Sequence, residues 1–215
     1  ERQLALARTP LLIAIDGRPT GLISVADPIK PGVSDHLREL RNMGIKCELL
    51  TGDHFRVAEQ VAQQVGIDRV TAGVSPSQKL DYIRDLQNSG DQVGMVGDGV
   101  NDAPALAAAD VGIAMSHGTD IAIESGDITI LGKDLSRLVL AIQLARRTMS
   151  TIRRNLFLAF IYNILCIPLA AGLFFPLFHI WLTPMWASAA MAASSVSVVL
   201  SSLRLKSFGP PNPPV

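Results

Sequence analysis

The sequence predicts an α/β fold with a doubly wound parallel sheet, followed by a two-helix transmembrane hairpin. Three observations carry that expectation. Short apolar runs alternate with segments of helical periodicity from Leu11 to Leu131, the pattern of strand–helix–strand units. All nineteen acids lie between Glu1 and Asp134, and none follows. Behind that boundary stand two long uncharged stretches, Leu156 to Phe178 and Ile180 to Leu203.

The elements follow in order. Leu11 to Ile15 and Gly21 to Ala26 read as strands joined by a turn at Asp16-Gly17. Asp27-Pro28-Ile29-Lys30-Pro31 breaks the pattern. Val33, Leu37 and Leu40 mark one face of a helix over 33–43, which Gly44 ends. Lys46 to Leu50 reads as a strand with Thr51-Gly52-Asp53 at its carboxyl end, and Phe55 to Val65 as a helix closed by Gly66. Val70 to Ala72 is a short strand, Pro76 to Leu86 a third helix, and Gln92 to Val96 a buried strand. Asp110 to Met115 and Asp127 to Leu131 complete the sheet.

Charge divides the chain. The front, residues 1–134, holds 12 bases against 19 acids. The rear holds only Arg137, Arg146, Arg147, Arg153, Arg154, Arg204 and Lys206. The neutral total therefore hides a marked asymmetry. Each uncharged stretch exceeds the roughly 18 to 20 residues a helix needs to cross a bilayer. Bases precede the first and follow the second, so both chain ends face the cytoplasm by the positive-inside rule. Trp181 and Trp186 suit the far interface. The organisation expected is a cytoplasmic domain over 1–134, a basic linker helix over 135–154, spans over 155–178 and 180–203, and a tail over 204–215. Cys47 and Cys166 give no disulfide framework and read as reduced thiols. No signal peptide is visible at Glu1.

Gly97-Asp98-Gly99-Val100-Asn101-Asp102-Ala103-Pro104-Ala105-Leu106 carries the most chemistry. It follows a strand and opens an Ala-rich helix, so Asp98 and Asp102 stand where open α/β sheets place their sites. Paired carboxylates suit Mg²⁺, a hard cation. For the Gly97-Asp98-Gly99 triplet alone, a surface turn is an equal alternative. Thr51 with Asp53, and Lys79, can reach the same crevice. Thr51 could donate to a phosphate oxygen, and Lys79 could neutralise a transferring phosphoryl group. Singly, Lys79 also reads as an exposed helix lysine and Thr51 as a strand-end hydroxyl.

Together these segments closely resemble the P-type cation-transporting ATPases of the haloacid-dehalogenase superfamily. The match rests on Asp27 to Pro31, Thr51-Gly52-Asp53, Pro76-Ser77-Gln78-Lys79, Gly97 to Leu106 and Gly118-Thr119-Asp120-Ile121-Ala122. The resemblance implies that 1–134 is the C-terminal part of a haloacid-dehalogenase-like, Rossmann-type phosphorylation domain. It implies that Thr51 and Lys79 contact an aspartyl phosphate, that Asp98 binds Mg²⁺, and that Asn101 and Asp102 support the same site. Gly52, Asp53, Gly97 and Gly99 complete its cofactor-binding loops. Asp27 falls near a hinge. ATP is the implied phosphoryl donor.

The rear narrows the subgroup. Tyr162-Asn163 and Met191-Ala192-Ala193-Ser194-Ser195 resemble the last two spans of copper-exporting, heavy-metal pumps. A thioether suits Cu⁺, and Met191 and Ser195, four apart, share a helix face. Asn163 lies well inside an apolar span, where polar groups face protein or a pathway. Read from the residues alone, these positions serve helix packing equally well. The resemblance assigns Tyr162, Asn163, Met191 and Ser195 to a Cu⁺ path, with Ag⁺ not distinguished. It implies a multi-pass protein of the plasma or inner membrane, with the bilayer, Cu⁺ and a copper chaperone as partners and no nucleic acid. Pro168 is expected to kink the first span.

Departures matter too. The sequence has no Asp-Lys-Thr-Gly-Thr segment and no Cys-Pro-Cys, and Ser116-His117 precedes Gly118. The expectation is a C-terminal portion of a pump, a fragment or truncated product, inactive alone because its nucleophile is absent. A stand-alone membrane phosphatase and a non-catalytic copper-binding or pump-associated module are the other classes considered.

Overall fold

The computed structural model describes residues 9–25, 28–97, 100–116, 126–132, 134–171 and 184–207. The chain forms two compact units, Glu1–Val139 and Leu140–Val215.

The front unit opens with an antiparallel hairpin, β1 (Thr9–Ile15) and β2 (Arg18–Val25). Asp16 and Gly17 both take positive φ, 52° and 76°, as a two-residue turn matched to strand twist requires. Next come α1 (Val33–Asn42), β3 (Glu48–Leu50), α2 (Phe55–Val65), β4 (Arg69–Thr71) and α3 (Pro76–Asn88). β5 (Gly94–Gly97), a 3-10 turn Val100–Asp102, α4 (Ala103–Ala108), β6 (Val111–Ser116) and β7 (Ile128–Leu131) follow. The α/β alternation is as expected. Among the described residues, the parallel sheet lies in two hydrogen-bonded pieces, β3–β4 and β5–β6–β7, and the hairpin pairs only with itself. β3 and β4 have three residues each, so that piece offers little ladder to extend.

Leu106 is fully buried at the centre of a core with Ile83, Val93, Met95 and Ala105. Two aspartates fix the sheet around it. Asp110 accepts the Val93 N–H at 2.7 Å, and Asp127 accepts the Gly112 N–H at 2.8 Å. Each precedes a strand and ties it to the strand before. A Cβ on Gly112 would collide with the Leu106 carbonyl, so α4 passes β6 at a distance only glycine permits.

The rear unit is helical. α5 (Leu135–Ala170) is one continuous helix, and α6 (Pro184–Leu203) leads into a 3-10 turn, Arg204–Ser207. The expected linker over 135–154 and the start of the first span are therefore one element. α5 runs two residues past Pro168. Among the described residues, no helix is long and apolar enough to cross a membrane. The physical reasons are local. The apolar part of α5 begins only at Leu156, after Arg153, Arg154 and Asn155, and six serines lower the hydropathy of α6. The end of the first expected span, the start of the second, and Trp181 lie outside the described residues.

Candidate active site

The described candidate residues are positioned by capping and turn bonds in their own segments and by one bond between segments. Ser75 starts α3 with a reciprocal cap: its hydroxyl accepts the Gln78 N–H at 3.3 Å, and Gln78 Oε1 accepts the Ser75 N–H at 2.8 Å. Pro76 fills the first turn without wasting a donor. The cap fixes the first turn of α3 and so places Lys79. Lys79 Nζ then donates to Asp102 Oδ1 at 2.7 Å, with side chains 13% and 15% exposed. Shielding from water strengthens the Coulomb attraction within the pair, while burial adds a desolvation cost that the attraction offsets.

Gly97 makes room for that pair. A Cβ there would stand 2.8 Å from Asp102 Cβ and 2.9 Å from Oδ2. The carboxylate thus packs against the carboxyl end of β5 because residue 97 has no side chain.

The second cluster is the loop after β3. The Asp53 N–H donates to Thr51 Oγ1 at 3.1 Å, and that hydroxyl donates to Asp53 Oδ2 at 3.0 Å. The loop is braced against the one after β4 by Gly73 N–H to Asp53 O at 2.9 Å and Val74 N–H to Thr51 O at 3.2 Å. Val74 leads directly into the Ser75 cap, so the Thr51 loop and the Lys79 helix share one support. Among the described residues, no hydrogen bond joins Thr51 or Asp53 to Lys79 or Asp102. Asn101 lies in the 3-10 turn with Asp102 and is exposed. Asp98, Gly99, Asp27 and Gly118 to Ala122 lie outside the described residues.

Sequence reading missed a third feature, Glu48. Its carboxylate accepts the Tyr82 hydroxyl at 2.6 Å and Arg69 Nη1 at 2.9 Å. It thereby ties α3 to β3 and β4. Burial first, and the bond to Glu48 next, push the Tyr82 phenol above its ordinary pKa. The nearby Cys47 thiol is also pushed up by burial, against the pull of Arg41, and stays protonated.

Oxygen donors at the end of β5 are the chemistry Mg²⁺ prefers, and the space beside Gly97 admits a carboxylate there. One Asp102 oxygen is already engaged by Lys79. Among the described residues, no three His, Cys, Asp or Glu side chains cluster.

In the rear unit, Ser195 Oγ donates to the Met191 carbonyl at 3.2 Å, so the two do share a face. Met191 is 74% exposed, Asn163 is exposed and Tyr162 is half-buried. Among the described residues, no hydrogen bond joins Tyr162 or Asn163 to Met191 or Ser195.

The sequence profile of the haloacid dehalogenase-like hydrolases matches residues 2–110. The chain belongs to that family. A probable copper-transporting ATPase, PacS, of Synechococcus elongatus is 52% identical over 96% of this chain and 28% of its own length. A silver-exporting P-type ATPase of Salmonella typhimurium is 54% identical over 93% of this chain and 24% of its own. The human copper-transporting ATPase 2 is 50% identical over 95% and 14%. The chain thus spans about a quarter, or less, of the curated relatives it matches. Its fold matches the crystal structure of a zinc-transporting PIB-type ATPase in the E2.Pi state, with a TM-score of 0.78 and 33% identity, over 95% of this chain and 32% of that one.

Proposed function

We propose that this chain forms part of an ATP-driven Cu⁺ exporter, supplying the phosphate-facing half of its phosphorylation site and two helices of its metal path. The Lys79–Asp102 pair beneath Gly97 carries the reading. It sets an ammonium at the carboxyl end of a parallel strand, held by a carboxylate that cannot move far. An ammonium has three N–H donors, and Asp102 engages one. The others remain to neutralise a phosphoryl oxygen. Thr51 turns its hydroxyl from Asp53 to the same group. Asp98 and Asp102 would hold Mg²⁺, which supplies further charge neutralisation at phosphoryl oxygens. The aspartate that accepts phosphate comes from outside residues 1–215, so the chain alone does not turn over ATP.

In this proposal the helices lie in the bilayer with the front unit in the cytoplasm. Support comes from the exposed apolar flank of α5, including Phe157, Phe160, Ile164 and Leu165, which water would oppose. Counted from the Arg154–Ser201 bond, Asn163 lies nine residues along α5 and Met191 ten residues back along α6. At 1.5 Å per residue that is roughly 14 and 15 Å. A hairpin would bring them level, as a shared Cu⁺ path needs. Met191 favours a soft ion, and neither span holds the carboxylate that Zn²⁺ accepts. A copper chaperone is the proposed donor of the ion.

The test exchanges this chain for the matching segment of the Synechococcus relative. Cu⁺ and Ag⁺ should stimulate ATP hydrolysis by the chimera and Zn²⁺ should not. Met191→Leu should weaken Cu⁺ stimulation at least tenfold. Equal stimulation by Zn²⁺, or an unaffected variant, would overturn the metal assignment.

A further inference from the structure

α3 is tied down on both sides of Lys79. Ahead of it, the Val74 N–H donates to the Thr51 carbonyl at 3.2 Å, and the chain passes directly into the Ser75 cap. One turn behind it, at i+3 and so beside Lys79 on the helix surface, the Tyr82 hydroxyl donates to Glu48 Oε2 at 2.6 Å. Glu48 begins β3, three residues before Thr51. It stands opposite Arg69 in the β3–β4 ladder, and Arg69 Nη1 engages its other oxygen at 2.9 Å. Two residues along β4, the Thr71 carbonyl accepts the Thr51 N–H at 3.0 Å, and the Thr71 side chain hydrogen-bonds to the Tyr82 hydroxyl. The bonds close a circuit from β3 to α3 through Glu48, from α3 to β4 through Thr71, and from β4 back to β3 at Thr51.

Packing alone would not set this spacing. Ile83 seats α3 on the same core as Leu106, but apolar burial is non-directional. It holds the helix down without fixing where along the sheet it stops. A hydroxyl on a carboxylate is both directional and stronger than a neutral bond. The Arg69–Glu48 pair is exposed on the arginine side and adds little stability. Its effect is to hold the carboxylate in the orientation that Tyr82 meets. Burial and the carboxylate both push the Tyr82 phenol up, so it keeps the proton it donates. Lys79 lies between the two attachments, and its distance from the Thr51 loop is therefore set by Glu48 at one end and by the Val74 N–H at the other.

We propose that Glu48 is a positioning residue for phosphoryl transfer, acting through Tyr82 to set the span between the Thr51 hydroxyl and the Lys79 ammonium that close on one phosphoryl group. The role rests on the phosphoryl-transfer reading above. A displacement of ~1 Å at a reacting group can cost on the order of 100-fold in rate, so a partial loosening of α3 has a large effect on turnover. The test uses the chimera with the Synechococcus relative and reads Cu⁺-stimulated hydrolysis of labelled ATP. Tyr82→Phe and Glu48→Leu should each lower kcat about tenfold with KM for ATP within about twofold, since only the transferring group is misplaced. Glu48→Gln, whose amide oxygen still accepts the hydroxyl, should recover most of the Glu48→Leu loss. Ser34→Ala removes a tie elsewhere, from α1 to the Gln64 carbonyl, and should change kcat less than about twofold. In a Lys79→Ala background, Tyr82→Phe should cost less than about twofold more, because its effect travels through Lys79. A full further tenfold loss there would make Glu48 a general support and overturn the role. So would equal losses from Glu48→Gln and Glu48→Leu, or a loss confined to KM. If Lys79→Ala abolishes turnover while Tyr82→Phe leaves it intact, the role of Glu48 fails and the phosphoryl-transfer reading stands. If Lys79→Ala is itself silent, that reading fails and takes the role with it.

Discussion

Leu106 in the front unit has none of its surface exposed, whereas Leu165 in the rear unit has 63% exposed. Both are leucines in helices, yet their surroundings differ completely. The front unit closes around a core of its own and spends its acids on specific bonds. Asp110 and Asp127 anchor strands, Glu48 ties a helix to a sheet, and Asp102 holds Lys79. The rear unit turns its apolar side chains outward and has no acid. Its helices meet through Arg154, Asn155 and two serines. The contrast separates a unit built around a buried core from one whose described helices leave many apolar side chains exposed.

Truncation breaks or sharpens that contrast most strongly. Leu106→Ala should cost about 2–5 kcal/mol in denaturant unfolding. Leu165→Ala in detergent should cost under ~0.5 kcal/mol, as exposed substitutions do. Equal losses would end the distinction. The next effect is at the site. Lys79→Met or Asp102→Asn should each lose about 1.5–3 kcal/mol, the range for charge-assisted bonds shielded from water. Their double-mutant cycle should return a coupling of at least ~1 kcal/mol. A cycle that adds without coupling would remove the pair from the account.

A smaller effect marks the start of α5. Asp134 caps it, accepting the Ser136 N–H at 2.9 Å and the Ser136 hydroxyl at 2.6 Å. Those bonds hold its carboxyl below the ordinary aspartate pKa. The stability it adds is therefore complete above the unfolded pKa, near 4, and fades as pH falls through the lower folded value. Asp134→Ala should cost about 1 kcal/mol at neutral pH and much less in acid. Melting curves that keep the same gap at both pH values would contradict the cap. Smallest is Asp35→Ala, which breaks the 67% exposed pair with Arg38. Its cost should stay under ~0.5 kcal/mol.

The sequence made the helices and most strands of the front unit legible, because periodicity and caps act locally. Gly66 closes α2 with φ 76°, and Pro76 opens α3, as read from residue type. Their motifs single out Thr51, Asp53, Lys79 and Asp102 as candidates. Their pairing into two clusters was not legible, since it depends on how the β3 loop leans on the β4 loop. Glu48 was invisible because its partners, Arg69 and Tyr82, lie 21 and 34 residues away. Asp110 and Asp127 left a usable signal, an acid directly before each of two apolar runs. The split of the parallel sheet also escaped a reading by pattern, which finds strands but not ladders. In the rear, hydropathy measured along the sequence does not see where a helix begins. α5 starts at Leu135 and carries Arg153 and Arg154 inside it.

The Gly97–Leu106 loop and Lys79 are proposed to serve phosphoryl transfer. In the chimera with the Synechococcus relative, Cu⁺-stimulated phosphoenzyme formation from labelled ATP tests this directly. Asp98→Ala and Lys79→Ala should each reduce phosphoenzyme turnover at least 100-fold, the scale of losing one preorganised electrostatic contact. Full turnover in either variant would contradict the account.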